Sequence, residues 1–355
     1  MMASLETGTF CPRISILIPT YNRAHYLVHA LESALAQDYP NFEVVVSDNA
    51  STDGTREVVA RYLADPRLRY YRNPENLGIG ANWTKLLYDY AQGDYGKCLP
   101  DDDYLVDPQH LRKAMSIIQR HGVRIVFSAA LSKYEDEDRD RDISLELDER
   151  VPRRWWLDHV GRTRYGVTYF PSCCSGQVFE IASAKALGFL TGEPYGDYEF
   201  ALKMILSEEW TGYIRDPSYL ERRHPGQDGR SSFQSAWMGA RLFDRVDEYG
   251  RRIGTVDGRT LDALRLRGLV FFARAFLIPN WVQEHGRTPA SFIRFLHALR
   301  SLDGRLPRAV GTNVAMAAQF LLYETPPYRA LRALYRSARS TLYLKSLRRR
   351  SVRTP

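Results

Sequence analysis

Three consecutive aspartates, Asp101-Asp102-Asp103, follow the apolar run Tyr95–Leu99, and Asp48 follows another such run, Phe42–Ser47. Carboxylates crowded into one tight turn repel one another, so a positive charge has to lie nearby. A hard divalent cation, Mg²⁺ or Mn²⁺, held between one or two carboxylates and substrate phosphates is the commonest source of it. The alternative is an exposed acidic turn capping the next helix, although Asp107, directly before Pro108, is better placed for that task. Further along, Asp197 opens a helical run with Glu199 two residues on. An acid there is placed to act as an ordinary helix cap. His224, behind Arg222 and Arg223, is either a ligand for a diphosphate or metal or plain surface decoration.

Other chemistries lack their residues. No GxxxxGK(S/T) loop exists and no GxGxxG opens a helix after the first strand, which removes a P-loop ATPase and a Rossmann dehydrogenase; Gly78-Ile79-Gly80 is a bare GxG. HExxH and GxSxG are absent as well. Cys11, Cys98, Cys173 and Cys174 show no metal-ligand spacing, and the start MMASLETGTFCPR lacks the basic-then-apolar run of an export signal. The expected compartment is the reducing cytoplasm. Trp155, Trp156, Tyr165, Tyr169 and Phe170 either line an acceptor groove or belong to the core.

The acids need a frame, and residues 13 to 130 supply one. Short β-rich runs alternate with amphipathic helical runs, the pattern of a parallel sheet with crossover helices in an α/β domain. Strands are expected at Ile14–Ile18, Phe42–Ser47, Leu68–Tyr71, Tyr95–Leu99 and Val123–Ala129, with helices near 23–36, 82–90 and 107–120. Ligands of such sheets bind beyond the carboxyl ends of the strands. Asp48 and the Asp101–Asp103 turn both fall on that rim. A charge run at 133–142 reads as a solvated loop. A strand at Gln177–Glu180 and helices at 182–187 and 197–208 follow, and strand signals nearly vanish after Ser231. The expected division is a catalytic domain over 1–230 and a helical region over 231–355.

The ordered segments SILIPTYNR (Ser15–Arg23), EVVVSDNASTDGT (Glu43–Thr55), NPENLGIGANW (Asn73–Trp83) and YGKCLPDDDYLVDP (Tyr95–Pro108) together resemble family-two glycosyltransferases of the GT-A fold. SGQVFEIASAKALGFL, GDYEFALKMI and YLERRHPGQ extend the resemblance to about residue 225. It implies a nucleotide-sugar-binding sheet and inverting transfer from a nucleotide-diphosphate donor, a UDP-sugar above all, to a saccharide, lipid-linked or other hydroxyl acceptor. Pro19, Tyr21, Arg23, Asp48, Asn76, Asp101 and Asp102 would line the donor, with Asp48 at the base or ribose. Asp103 with Asp101 would hold Mn²⁺ or Mg²⁺, and Asp197 would be the base, with Glu199 in reserve. Two departures stand out. The family's Asp-x-Asp-Asp has Pro100 at its first position here, leaving the ligand open among the three aspartates, and Gly196 replaces the usual glutamate before Asp197.

The chain of 355 residues carries 49 basic and 42 acidic side chains, with 44% hydrophobic and 26% charged residues, an ordinary globular profile. Its net charge of +7 is not spread evenly: Glu324–Pro355 holds nine basic residues against Glu324 alone. Within that tail Tyr328, Leu331, Leu334, Tyr335, Ala338 and Leu342 keep helical spacing beside Arg329, Arg332, Arg336 and Arg339. Such a helix suits either an anionic membrane surface, where the enzyme would sit peripherally, or docking on the protein itself. Nucleic acid is not expected, since the positive charge is confined to one end. The rivals to a glycosyltransferase are a metal-dependent nucleotidyltransferase, whose glycine-rich, lysine-containing opening is missing, and a non-enzymatic binder acting through the tail.

Overall fold

The computed structural model describes residues 11–134, 140–142, 144–161, 163–164, 167–168, 174–189, 195–224, 233–286 and 288–307. The chain divides into two compact units, Met1–Trp156 with Pro171–Pro225 and Leu157–Phe170 with Gly226–Pro355. The tail segment Tyr328–Leu342, together with Tyr165, Tyr169, Phe170 and Cys173, lies outside the described residues.

The first unit is built on strands β1 (Ile14–Thr20), β2 (Phe42–Asp48), β3 (Leu68–Arg72) and β4 (Tyr95–Cys98). All four run parallel in the order β3-β2-β1-β4. β1 and β2 are covered on both faces, which is why they read as unbroken apolar runs. Ile14, Ile16, Ile18, Val44 and Val46 turn to one side, where they pack with Leu27, Ala30, Leu31 and Ala34 of α1 (Ala24–Leu35) and Val58 and Val59 of α2 (Thr55–Ala60). Leu17 and Val45, at the intervening positions, face the other way and are equally buried. Each such side chain contributes about 1.5–3 kcal/mol by leaving water. The helix expected near 82–90 begins earlier than its sequence spacing suggests, as α3 (Ile79–Thr84), and widens into a π-type turn over Lys85–Tyr90.

Beyond β4 the sheet becomes mixed. β11 (Gln177–Glu180) enters antiparallel between β4 and β6 (Ile125–Tyr134), and β12 (Trp210–Arg223) lies parallel to β6. The two-residue β5 (Tyr104–Leu105) closes the order against β12. β4 approaches β11 closely at Gly96, where any Cβ would stand 2.7 Å from the Phe179 ring. α4 (His110–His121), which lends Leu111, Ala114, Met115, Ile117 and Ile118 to the core, ends at Gly122 in the left-handed conformation that glycine adopts without strain. The charge run at 133–142 is not simply a loop. β7 (Asp140–Asp142) pairs antiparallel with the end of β6, and β8 (Arg150–Pro152) pairs with β12. The run hides its strands because neither face presents an apolar alternation.

Helix α5 (Arg153–His159) is followed by the small ladder β9–β10 (Thr163–Arg164, Val167–Thr168). Helices α6 (Ile181–Ala186) and α7 (Gly196–Ser207) complete the first unit. The second unit contributes α8 (Phe233–Ala240), α9 (Leu242–Ile253), α10 (Gly258–Phe272), α11 (Ile278–His285) and α12 (Pro289–Leu299). Asp257 caps α10 by accepting from Thr260 N–H, and Thr288 caps α12 through Ser291 N–H. Phe243, Phe272, Trp281 and Phe295 are buried within it. Among the described residues no helix is long and apolar enough to cross a membrane.

Candidate active site

The carboxyl ends of β2 and β4, the far end of β12 and the start of α7 bring the predicted acids together. Asp48, fully buried at the end of β2, accepts from Ser51 N–H at 2.8 Å and from the Tyr70 hydroxyl at 2.7 Å, with Arg72 Nε 3.5 Å away. The turn after β4 places Asp101, Asp102 and Asp103 at 3–4% exposure. Arg23 answers their charge: its Nη1 lies 3.2 Å from Asp101 Oδ1 and 3.3 Å from Asp102 Oδ2. The same Asp102 oxygen is 3.1 Å from Nε2 of His224, itself 4% exposed.

Asp103 is held differently. Its Oδ2 accepts from the Ser175 hydroxyl and its Oδ1 from Arg222 N–H at 3.0 Å, while Arg222 Nε donates to the Asp102 carbonyl at 3.0 Å. The Arg222 guanidinium also lies over the Tyr26 ring, 4.9 Å from its centroid. β12 is thereby fastened to the acid turn through both backbone and side chain.

These surroundings set the protonation of the cluster. Burial, reinforced by Asp102, pushes Asp101 up to about 7 despite Arg23. Burial, then Asp102 and Glu221, holds Asp103 well above the ordinary carboxylate value. Glu221, a fifth carboxyl that the sequence reading did not single out, is raised by burial and restrained by its 2.6 Å pair with Arg223. Asp197 sits in the first turn of α7 and accepts from Cys174 N–H at 3.3 Å. Burial raises its pKa as well, with backbone hydrogen bonds opposing. Glu199, by contrast, is closed off by Lys203 at 2.6 Å, one helical turn along.

Of the other residues put forward for the donor, Pro19 lies half-buried next to the end of β1 and Tyr21 is 43% exposed. Asn76 belongs to an amide ladder. Ser47 Oγ donates to Asn82 Oδ1 at 2.6 Å, Asn73 Nδ2 to Asn82 and Asn49 at 2.9 and 3.1 Å, and Asn49 Nδ2 to Asn76 Oδ1 at 2.7 Å. The ladder ties the turn after β2 to the 73–78 segment, and its asparagines only make sense as a set once β2 and α3 are adjacent. Lys97, fully buried on β4, donates to the Ser175 carbonyl and was likewise missed, since an isolated lysine in a strand carries no signal.

The backbone marks the same places. Among the described residues the non-glycine positions with positive φ are Asn22 (52°), Ala50 (65°) and Tyr195 (62°). They precede Arg23, follow Asp48 by two residues and precede Asp197 by two. Such conformations cost of order 1–3 kcal/mol each and gather where function constrains the chain.

Among the described residues no group of three or more His, Cys, Asp or Glu side chains forms a complete metal cluster. The donor set nevertheless fits a cation that also binds substrate. Octahedral Mg²⁺ takes ligands at about 2.0–2.1 Å, so neighbouring ligand atoms stand about 3 Å apart. Asp102 Oδ2 and His224 Nε2, hydrogen-bonded to each other at 3.1 Å, have that spacing, and phosphates and water would have to fill the other positions.

Comparison with known proteins agrees with this architecture. The family model described as Glycosyl transferase family 2 matches residues 15–184. The chain is 33% identical over 112 residues to the putative glycosyltransferase EpsE of Bacillus subtilis, a match covering 31% of this chain and 40% of EpsE. It is 24% identical over 261 residues to glycosyltransferase GlyG of Streptococcus pneumoniae, covering 72% of this chain and 84% of GlyG. Among solved structures, S. aureus TarS 1–349 in complex with UDP-GlcNAc superposes with a TM-score of 0.63 at 18% identity, over 87% of this chain and 89% of that one. The parallel half of the sheet and the antiparallel strand inserted beside the acid turn fall within one family match: residues 15–184 match the glycosyl transferase family 2 model, on a GT-A fold.

Proposed function

We propose that the chain transfers a sugar from a nucleotide-diphosphate donor to an acceptor hydroxyl, with inversion at the anomeric carbon. The observation that carries this reading is the meeting of Asp102 and His224, at 3.1 Å, with the Asp197 helix start on the same rim. Asp102 and His224 would hold Mn²⁺ or Mg²⁺. The pairing with His224 favours Asp102, and it disfavours the Asp103 that the sequence puts forward, because both oxygens of Asp103 are engaged by Ser175 and Arg222. Bound there, the cation supplies Lewis-acid stabilisation of the leaving diphosphate.

The chain's own groups do the rest. Asp48 and the amide ladder orient the nucleoside, and Arg23 offers a planar fork to the phosphates. Asp197 takes the acceptor's hydroxyl proton as that oxygen bonds to the anomeric carbon. The bond from that carbon to the diphosphate oxygen breaks, and the nucleoside diphosphate leaves. Its raised pKa makes Asp197 a stronger base than a solvated carboxylate. A single displacement needs no enzymic nucleophile.

TarS, whose fold this chain shares, binds UDP-GlcNAc and UDP, which supports uridine diphosphates as the first donors to test. The cationic amphipathic pattern at 328–342 supports a lipid-linked acceptor met at the cytoplasmic face of a membrane, in the synthesis of a surface polysaccharide or related glycoconjugate. The test is thermal denaturation with nucleoside diphosphates, with and without Mn²⁺, followed by transfer of labelled sugar from the donor that binds. A ligand present at 100 times its Kd stabilises the fold by about 2.7 kcal/mol. Absence of any Mn²⁺-dependent shift across UDP, GDP and ADP overturns the reading.

A further inference from the structure

Asp102 Oδ2 is contested. It faces His224 Nε2 at 3.1 Å and Arg23 Nη1 at 3.3 Å, so the position that suits a divalent cation lies directly beside a fixed positive charge. Arg23 also reaches Asp101 Oδ1 at 3.2 Å, spanning two of the turn's carboxylates much as a cation would. A guanidinium has no lone pair to coordinate metal and does not lose its proton, so it cannot share the site or leave by titration. It leaves Asp102 only by exchange onto another anion.

The anchor of this side chain is rigid, and the side chain itself is only part-buried. Asn22, at φ 52°, is pinned by its N–H to Ser51 Oγ at 2.9 Å and by Thr52 N–H to its Oδ1 at 2.7 Å. The Arg23 carbonyl then starts α1 by accepting from Tyr26 and Leu27 N–H. The Arg23 side chain is 20% exposed, against 4% and 5% for the two carboxylates it bridges. A group fixed at its Cα, bridging two carboxylates more buried than itself, is placed to exchange one anion for another.

We propose that Arg23 is a latch on the cation site: without donor its guanidinium stands in for the divalent cation at Asp102, and the cation binds tightly only together with a nucleoside diphosphate that draws Arg23 away. This rests on the Asp102–His224 corner being the cation site. The diphosphate is the natural recipient, since a guanidinium fork matches two phosphate oxygens. Linkage then requires that nucleotide and cation tighten each other's binding by the same factor. The consequence is that a free metal ion does not occupy the site ahead of the donor.

The experiment titrates Mn²⁺ into the full-length chain with and without UDP, following free Mn²⁺ by electron paramagnetic resonance. In the wild type UDP should tighten Mn²⁺ binding by about tenfold or more, within the usual range of coupling between sites. Arg23→Gln should bind Mn²⁺ alone about tenfold more tightly than the wild type, and the UDP effect should shrink by the same factor, leaving the part that comes from direct phosphate coordination. Arg23→Lys retains the positive charge and should keep Mn²⁺ weak without UDP, which separates loss of charge from loss of structure. Arg23→Gln that gains no affinity for Mn²⁺ alone, or Arg23→Lys that gains as much as Arg23→Gln, overturns the latch. Asp102→Ala is the control on the underlying site: if it leaves Mn²⁺ binding unchanged, the cation-site reading falls and the latch with it. Asp102-dependent binding with full UDP coupling in Arg23→Gln sinks the latch alone.

Discussion

Asp197→Asn separates proton transfer from structure. The amide keeps the shape of the carboxylate and an oxygen to accept from Cys174 N–H, 3.3 Å away in the native protein, but it takes up no proton. General-base assistance is worth about 10²–10⁴ in rate, so labelled-sugar transfer should fall by at least about 10², or 2.7 kcal/mol of barrier. Stability should move the other way or hardly at all. Burial raises the folded-state pKa of Asp197 above its unfolded value, so the folded state binds the proton more tightly. Stability contributed by this group therefore falls as pH rises between those two values, and at neutral pH the charged carboxylate is a cost. Asparagine removes that cost while giving up the roughly 0.3–1 kcal/mol of a charge at a helix start. Melting temperatures at pH 7.5 should therefore agree within about 4 °C. Nucleotide affinity should be unchanged. The acid limb of kcat/KM, tenfold per pH unit below the raised Asp197 pKa, should vanish from whatever activity remains. Transfer at more than a tenth of the wild-type rate, with that limb intact, refutes Asp197 as the base.

Other outcomes follow from the same geometry. Asp102→Ala should abolish the Mn²⁺-dependent part of the UDP thermal shift, whereas Asp103→Ala should chiefly loosen the end of β12, seen as faster amide exchange at Arg222. Gly96→Ala places a Cβ 2.7 Å from the Phe179 ring and should cost about 1–3 kcal/mol in urea unfolding; an unchanged midpoint would contradict the close β4–β11 approach. Asn73→Ala removes the donor to both Asn49 and Asn82, and should cost about 1–3 kcal/mol and raise the donor KM with kcat little changed.

The parallel half of the sheet was legible because β1 and β2 are buried on both faces and cannot hide their apolar runs. The acid turn stood out for the opposite reason, since three carboxylates crowded at a strand end repel one another and call for a positive partner, which the structure supplies as Arg23. β12 was not read as one long strand. Its sequence WTGYIRDPSYLERR interrupts the pattern with Asp216-Pro217, where the pairing with β6 shifts register between Ile214 and Tyr219. His224 was ambiguous alone and gained meaning only beside Asp102, 122 residues earlier. Glu221 and Lys97 were invisible because their significance is burial next to other charges, a property of the assembled sheet. The choice among Asp101, Asp102 and Asp103 could not be made from spacing, since each oxygen's partner comes from a different part of the chain: Arg23, Ser175, Arg222 or His224.

The late arrival of β11 and β12 in a sheet begun by β1 to β4 also fixes when the site comes into being. Asp103 waits for Ser175, 72 residues on, and for Arg222, 119 residues on. On a ribosome adding about 5–20 residues per second, the acid turn spends about 6–24 s without the strand that will hold it. During that interval the edge of β4 is exposed and Asp103 lacks both its side-chain partners, and long-range pairing of this kind is slow even in a finished chain. The nascent protein thus passes through a stage in which the acid turn lacks Ser175, Arg222 and His224, and a chain without those residues cannot complete the turn's hydrogen bonds.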